Sequence, residues 1–305
     1  MTTREAVLLK PFERPEYAYQ KLSRCRGCGA YTVLREEECP ACHKRKLIPI
    51  EEEAAARARQ SMWFERLVVL VFGAAAVYFA GEDVPLLALA LGGGILSLVL
   101  LWRVQLRMLP GQRLRRLAQL FEREGDRVIH GLMEDREDAI AVFRSGDKPR
   151  TYEMLREIGY LMRTDPIKME QVLLLQTFIL RKDMDLMLEP LLMDQFNVDL
   201  AGYIGEIARL RKDLIKEKTL RYVMVHEAQF RRMEDGEEIL TLVAAAAVRR
   251  ARYVKLYPHL LMRYAHRLPR DRFMRLYRTI AERPAAYLDE LVAETYRVYK
   301  EKYQS

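Results

Sequence analysis

The sequence predicts a mainly α, membrane-embedded chain in three parts: a small N-terminal cysteine module, a two-helix transmembrane hairpin and a C-terminal all-α domain. Three observations predict it. All four cysteines fall between residues 25 and 42. Nearly all lipid-grade hydrophobicity falls between residues 63 and 103. Beyond residue 103, apolar residues recur at intervals of three and four, with no run that alternates as a strand would. The 305 residues therefore divide into a module over 1–50, a juxtamembrane linker helix over 51–62, a hairpin over 63–103 and a helical domain over 104–305. Half the residues are apolar and 31% are charged, which excludes a disordered or collagen-like chain. The mean hydropathy of −0.19 is an average over two very different kinds of segment.

The cysteines come as two pairs, Cys25-Arg-Gly-Cys28 and Cys39-Pro-Ala-Cys42. Two CxxC pairs at short separation suit a tetrahedral four-thiolate metal site, each pair forming a tight knuckle that supplies two sulfurs. Gly27 and Gly29 permit the turns that aim backbone N–H groups at the sulfurs. A pair of disulfides is the alternative. It suits small secreted domains, whereas no cleavable signal peptide precedes these cysteines.

On these residues the chain resembles the zinc-ribbon family over residues 17–50, with Cys25, Cys28, Cys39 and Cys42 at the ligand positions. The resemblance implies a small β fold, and the runs Tyr17–Leu22, Ala30–Leu34 and Lys46–Ile50 fit its strands. His43 stands where glycine commonly follows the last cysteine, and it reads as a surface residue. Four thiolates fill a closed site, so the expected Zn²⁺ is structural rather than catalytic. Arg24, Arg26, Lys44, Arg45 and Lys46 surround the knuckles, but Glu36, Glu37 and Glu38 interrupt them and Tyr31 is the lone aromatic of ribbon type. That is not the basic and aromatic face of a nucleic-acid binder.

Two uncharged runs follow, Leu67–Gly81 and Val84–Trp102, separated by Glu82 and Asp83. Helices of that kind, at about 64–81 and 84–102, are expected to cross a hydrocarbon core about 30 Å thick. Trp63 and Trp102 fall at the same end, as an interfacial belt requires. Asp83 is placed to cap the second helix, with Pro85 in its first turn. Gly73, Ala76, Ala88, Ala90, Gly92 and Gly94 are small residues at positions where two spans would approach closely. Arg57, Arg59 and Arg66 precede the first span, and Arg103, Arg107, Arg113, Arg115 and Arg116 follow the second. The positive-inside rule then places both termini in the cytoplasm of a bacterial-type inner membrane. Anionic lipid headgroups are natural partners for the basic segment after the second span.

After Pro110-Gly111, breakers such as Gly146, Pro149, Pro166, Pro190, Gly236, Pro258, Pro269 and Pro284 divide the chain into short helices. An irregular bundle or degenerate α-solenoid is expected, with Ile239–Val248 as a core helix. The acidic run Glu134 to Asp138 reads as a solvated face. Residues 249–283 form a basic stripe. Arg249, Arg250, Arg252, Arg263, Arg267, Arg270, Arg272, Arg275 and Arg278 alternate there with Tyr253, Tyr257, Tyr264, Phe273 and Tyr277. Such a stripe either meets an anionic partner or consists of solvated arginines over core tyrosines.

Catalytic motifs are missing: His226-Glu227 is followed by Phe230 where a zincin would need histidine, and no nucleotide loop or nucleophile elbow occurs. The expected function is therefore a non-enzymatic, membrane-anchored adaptor, scaffold or assembly factor whose helical domain docks protein partners. The alternative is a membrane-tethered nucleic-acid-binding or regulatory protein that uses residues 249–283.

Overall fold

A computed structural model describes residues 4–17, 19–34, 38–80 and 84–304. The chain forms two compact units, Arg14–Asp138 and a helical body made of Met1–Glu13 with Ala139–Ser305. This grouping differs from the sequence division in two ways. The first thirteen residues belong with the C-terminal helices, and the cysteine module shares a unit with the long helices that follow it.

The first unit begins with a three-stranded antiparallel sheet of order β2-β1-β3, in which β1 is Ser23–Cys25, β2 Tyr31–Thr32 and β3 Leu47–Pro49. Arg24 pairs with Tyr31 on one side and with Ile48 on the other. The strands are shorter than the flanking runs suggested, and β1 starts after Leu22, which is fully buried. β3 passes directly into helix α1, Ile50–Ala80, where Ile50 N–H bonds Leu22 C=O at 3.0 Å. Glu51, Glu52 and Glu53 in the first turn of α1 complement the partial positive charge of a helix N-terminus. The linker expected at 51–62 is therefore not a separate element.

Helix α2 runs from Val84 to Arg144 and contributes its residues to Asp138 to the first unit. It passes through Pro110 and across the boundary drawn at residue 104 without interruption. An interior proline removes one backbone hydrogen bond and costs about 3 kcal/mol. Long helical flanks outweigh that cost here, because Leu120, Val128 and Leu132 bury an apolar stripe on the C-terminal side.

Among the described residues, α1 is long and apolar enough to cross a membrane over Ile50–Phe79, with 6% of its most apolar window buried. In α2, Leu91–Gln105 is a shorter apolar stretch. The turn at residues 81–83, with the expected Asp83 cap, lies outside the described residues, as does the side chain of Ala90. The other small residues are not brought together. Gly73, Gly92 and Gly94 border open space, and Ala76 and Ala88 are exposed. The two helices are joined instead by a polar clasp. Buried Gln105 donates to Glu65 Oε2 at 3.0 Å and to Met62 C=O at 3.3 Å, and accepts from Arg66 Nε at 2.8 Å.

In the body, Gly146 at φ 96° closes α2 and Asp147 caps α3, Lys148–Leu161, by accepting from Arg150 N–H at 3.1 Å. Then follow α4 Asp165–Gln176, α5 Val198–Leu210, α6 Glu217–Val225, α7 Glu227–Phe230, α8 Gly236–Ala247, α9 Ala251–Leu256, α10 Pro258–Tyr264, α11 Arg270–Glu282 and α12 Asp289–Tyr303. Asn197 caps α5 through Leu200 N–H at 2.9 Å. α5 and α8 form the centre, burying Ile204, Ile207, Leu240 and Val243, and α8 is the core helix expected from its uncharged run.

Residues 4–13 cross this body as an extended strap. Glu5 exchanges backbone hydrogen bonds with Thr177 and Ile179, both at 2.9 Å. Lys10 N–H bonds Glu153 at 2.7 Å, Phe12 N–H bonds Asp185 at 2.8 Å, and Arg156 Nη2 donates to Lys10 C=O at 2.7 Å. The Arg156 guanidinium lies over the Phe12 ring at 5.1 Å. Phe12 is buried, while the Lys10 side chain is 86% exposed. Replacing Phe12 by alanine is expected to destabilise the body by about 3 kcal/mol. Lys10→Ala is expected to change it by less than about 0.5 kcal/mol, because its exposed side chain makes only a solvent-screened ion pair with Glu153 at 4.0 Å. Thermal unfolding of the two variants followed by circular dichroism checks the contrast.

Candidate metal centre

The two knuckles are built alike. In the first, Gly29 N–H bonds Cys25 C=O at 2.9 Å; in the second, His43 N–H bonds Cys39 C=O at 2.8 Å. Each closing residue sits in the left-handed region, Gly29 at φ 79° and His43 at φ 52°. This geometry explains why glycine is usual after the second cysteine of a knuckle, and His43 bears a cost of about 1 kcal/mol by holding it. His43 is exposed and stands apart from the sulfur cluster.

The four sulfurs lie within 4.8 Å of one another. The nearest contacts run between knuckles, Cys25 Sγ to Cys42 Sγ and Cys28 Sγ to Cys39 Sγ, both 3.6 Å. A disulfide would need about 2.05 Å. Four sulfurs placed about 2.3 Å from a central ion at tetrahedral angles would be about 3.8 Å apart. The arrangement therefore fits a metal ion held by four cysteines.

Electrostatics point the same way. Burial raises the Cys25 thiol, but N–H groups of Cys28 and Gly27 and the neighbouring thiols outweigh it and hold the group down at about 6. Cys39 is pushed up to about 12 by burial; the Cys42 and Ala41 N–H groups oppose the rise, and the adjacent sulfurs Cys28 and Cys25 add to it. Cys25 is held down while Cys28 and Cys39 are raised, and a bound cation would favour the thiolate form of such ligands.

The module is fastened to α2 through β2. Tyr31 Oη donates to Glu124 Oε2 at 2.8 Å, and burial raises the Tyr31 phenol further above its ordinary range. Asp135 is fully buried. It accepts from Thr32 Oγ1 at 2.7 Å and from Val33 N–H at 2.8 Å. Between these contacts lies Gly131, where an added Cβ would stand 2.1 Å from Tyr31 C=O, so the strand backbone presses directly on the helix. Arg24 reaches across to Glu53 of α1 and to Glu124 at 3.3 Å. The acidic run expected to be a solvated face thus contains the anchor of the module. Helical spacing could have exposed it: Val128, Gly131, Leu132, Asp135 and Ala139 share one buried stripe on α2.

Four of the nine arginines of the basic stripe pair with acids of the body. Arg252 pairs with Glu217 at 2.8 Å, Arg263 with Glu227 at 2.5 Å, Arg267 with Glu237, and Arg272 with Asp271 at 3.1 Å. Arg275 donates to Arg249 C=O at 2.8 Å. Arg250 and Arg270 lie over the rings of Tyr253 and Tyr303, and Arg278 is exposed. Tyr253, Tyr264 and Phe273 are buried, and Tyr257 and Tyr277 are half-buried. Glu227 of the incomplete zincin string is a buried structural acid paired with Arg231 and Arg263.

No family model, curated protein or solved structure matches the chain.

Burial raises the Asp135 carboxyl to about 6; the Val33 N–H and Thr32 hydroxyl oppose the rise, and Asp138 and Glu134 add to it. The folded state then holds a proton that the unfolded state releases between about pH 4 and 6. This group's contribution to stability therefore falls as pH rises through that window and stays low above it. Asp135→Asn is expected to remove that slope and to match or exceed the parent at pH 7. Asp135→Ala orphans Val33 N–H and the Thr32 hydroxyl and is expected to cost about 2–3 kcal/mol. Denaturant unfolding of the three proteins at pH 5 and pH 7 measures both effects.

Proposed function

We propose that the chain is a two-span inner-membrane adaptor, with a structural zinc ribbon and a helical docking body on the cytoplasmic side. The observation that carries this reading is the exposure of large apolar side chains along both α1 and the first part of α2. On α1, Phe72, Tyr78 and Phe79 are 72–83% exposed, and on α2 Val84 and Leu89 are 74% and 79% exposed. Continuous apolar surface of that extent is untenable in water and ordinary against lipid.

The clasp of Gln105 with Met62, Glu65 and Arg66 supports a hairpin whose two helices meet at one interface. It lies beside the exposed Trp63 and Trp102, where amphipathic rings favour the headgroup boundary. Arginines on both sides of the hairpin and none in the turn support cytoplasmic termini. A reduced four-thiolate zinc site suits that compartment. An adaptor role is supported by what the body contains: many short helices around a centre of packed aliphatics, with exposed apolar residues such as Val225 and Leu256 on its surface.

Two measurements test the reading. All native cysteines should be cytoplasmic, so an impermeant maleimide applied to intact cells is expected to label Asp83→Cys and to leave the parent unlabelled. Labelling of the parent, or of neither, contradicts the topology. Crosslinking in intact cells from Val225 or Leu256, exposed apolar residues of the body, is expected to capture a defined protein. A body that captures none while the hairpin remains inserted contradicts the adaptor role.

A further inference from the structure

A polar cleft of about 470 Å³ opens beside the first knuckle, lined by Arg24, Arg26, Glu53, Arg57, Gln60 and Arg127. A second hollow shares Arg26 and Ala56 with it and adds Arg59, but Glu51 and Glu52 line it too, so the anion site is confined to the first. We infer that this cleft is a binding site for one phosphate group, presented by an anionic phospholipid headgroup. The inference rests on the membrane reading of α1 given above.

Charge and donor geometry come first. Four guanidiniums meet two carboxylates, Glu53 and Glu124. Arg24 is half enclosed and committed to both acids. Arg57 holds Glu53 with one nitrogen at 2.5 Å and is 3.8 Å from Glu124 with another. Arg127 reaches Glu124 only at 3.8 Å and is 70% exposed, and Arg26 is exposed. A guanidinium carries five N–H donors, so most donors of Arg26, Arg57 and Arg127 remain for a ligand. Planar bidentate donors of this kind match phosphate oxygens better than a point charge would.

Depth selects the source of the phosphate. Gln60 precedes Trp63 by three residues and Arg57 by six, roughly 5 and 9 Å along the helix axis. A headgroup layer adds roughly 5–8 Å on each side of the hydrocarbon. With exposed Trp63 at the boundary, Gln60 at the cleft's near rim falls within the headgroup layer and Arg57 lies at its outer edge, within reach of a headgroup phosphate for a long side chain. A competing use for the same arginines exists, since four thiolates around a divalent ion carry two net negative charges beside the cleft.

The full-length, zinc-loaded chain in nanodiscs of equal phosphatidylglycerol and phosphatidylcholine provides the test, with retained lipid read by native mass spectrometry. The parent is expected to retain phosphatidylglycerol about tenfold over phosphatidylcholine. The double variant Arg57→Gln/Arg127→Gln is expected to lose that preference while keeping its zinc. Arg103→Gln/Arg107→Gln, outside the cleft but in the same basic collar, is expected to keep it. Inorganic phosphate titrated into lipid-free protein distinguishes the sources. A saturable response seen only in the parent, with no lipid preference, assigns the phosphate site to a soluble ligand. Equal lipid retention by the parent and the Arg57/Arg127 variant with no phosphate response, or a variant that loses zinc instead of lipid, overturns the inference. Asp83→Cys labelling stands apart from these outcomes, so a failed cleft is distinguishable from a failed membrane reading.

Discussion

The contact on which the first unit depends is a strand pressed against a helix. β2 lies close enough to α2 that only glycine fits at position 131, and buried Asp135 takes up the two polar groups that the strand would otherwise leave unpaired. A carboxylate without a cationic partner is an expensive anchor in a buried site. It is retained because Thr32 and Val33 offer two donors that no apolar residue could satisfy. The position of the cysteine module on the stalk follows from that contact. So do the salt bridges of Arg24 and the cleft that opens between the knuckle and α1.

The metal site and this contact reinforce each other. The sheet is only two or three residues long in each strand, too little to hold its own register in water. Two constraints fix it, the four sulfurs on one side and α2 on the other. Cys25 ends β1 two residues from Ser23, the partner of Thr32, so the metal-binding knuckle and the Asp135 anchor act on the same pair of strands. Without an ion the neighbouring sulfurs keep their protons and share no ligand that ties the two knuckles together. On the proposed reading the module is a joint whose rigidity depends on a bound ion, placed at the start of α1.

How much of this was legible in the sequence depended on whether the signal was local. The CxxC pairs needed only their spacing, and the structure brings all four sulfurs to one point. Helix α8 was readable from an uncharged run too short for a membrane and too regular for a loop. Position 43 was visible as a departure from the usual glycine, and its left-handed backbone shows what the departure costs. Non-local pairings were hidden. Asp135 looked like one more acid among Glu134, Glu137 and Asp138; helical spacing places it on an inward-facing stripe but does not announce that its partner is a strand about a hundred residues earlier. The strap at residues 4–13 was hidden for the same reason: most of its hydrogen bonds are made by backbone groups that every sequence possesses, and the partners of Arg4 and Glu5, Glu206 and Lys148, lie far along the chain. Pro110 misled in the opposite direction, because a local breaker signal was overruled by long helical flanks. The stripe at 249–283 read as a surface, yet its acids, Glu217, Glu227 and Glu237, come from helices earlier in the chain.

Hydrogen exchange of the full-length protein before and after metal removal tests the central claim most directly. If metal holds the knuckles and the knuckles hold β2 on α2, chelation raises exchange in residues 23–49 and also in residues 124–135 of α2, while α5 and α8 stay protected. If chelation leaves residues 124–135 as protected as before, or loosens the knuckles alone, the joint between metal site and helix does not exist as described.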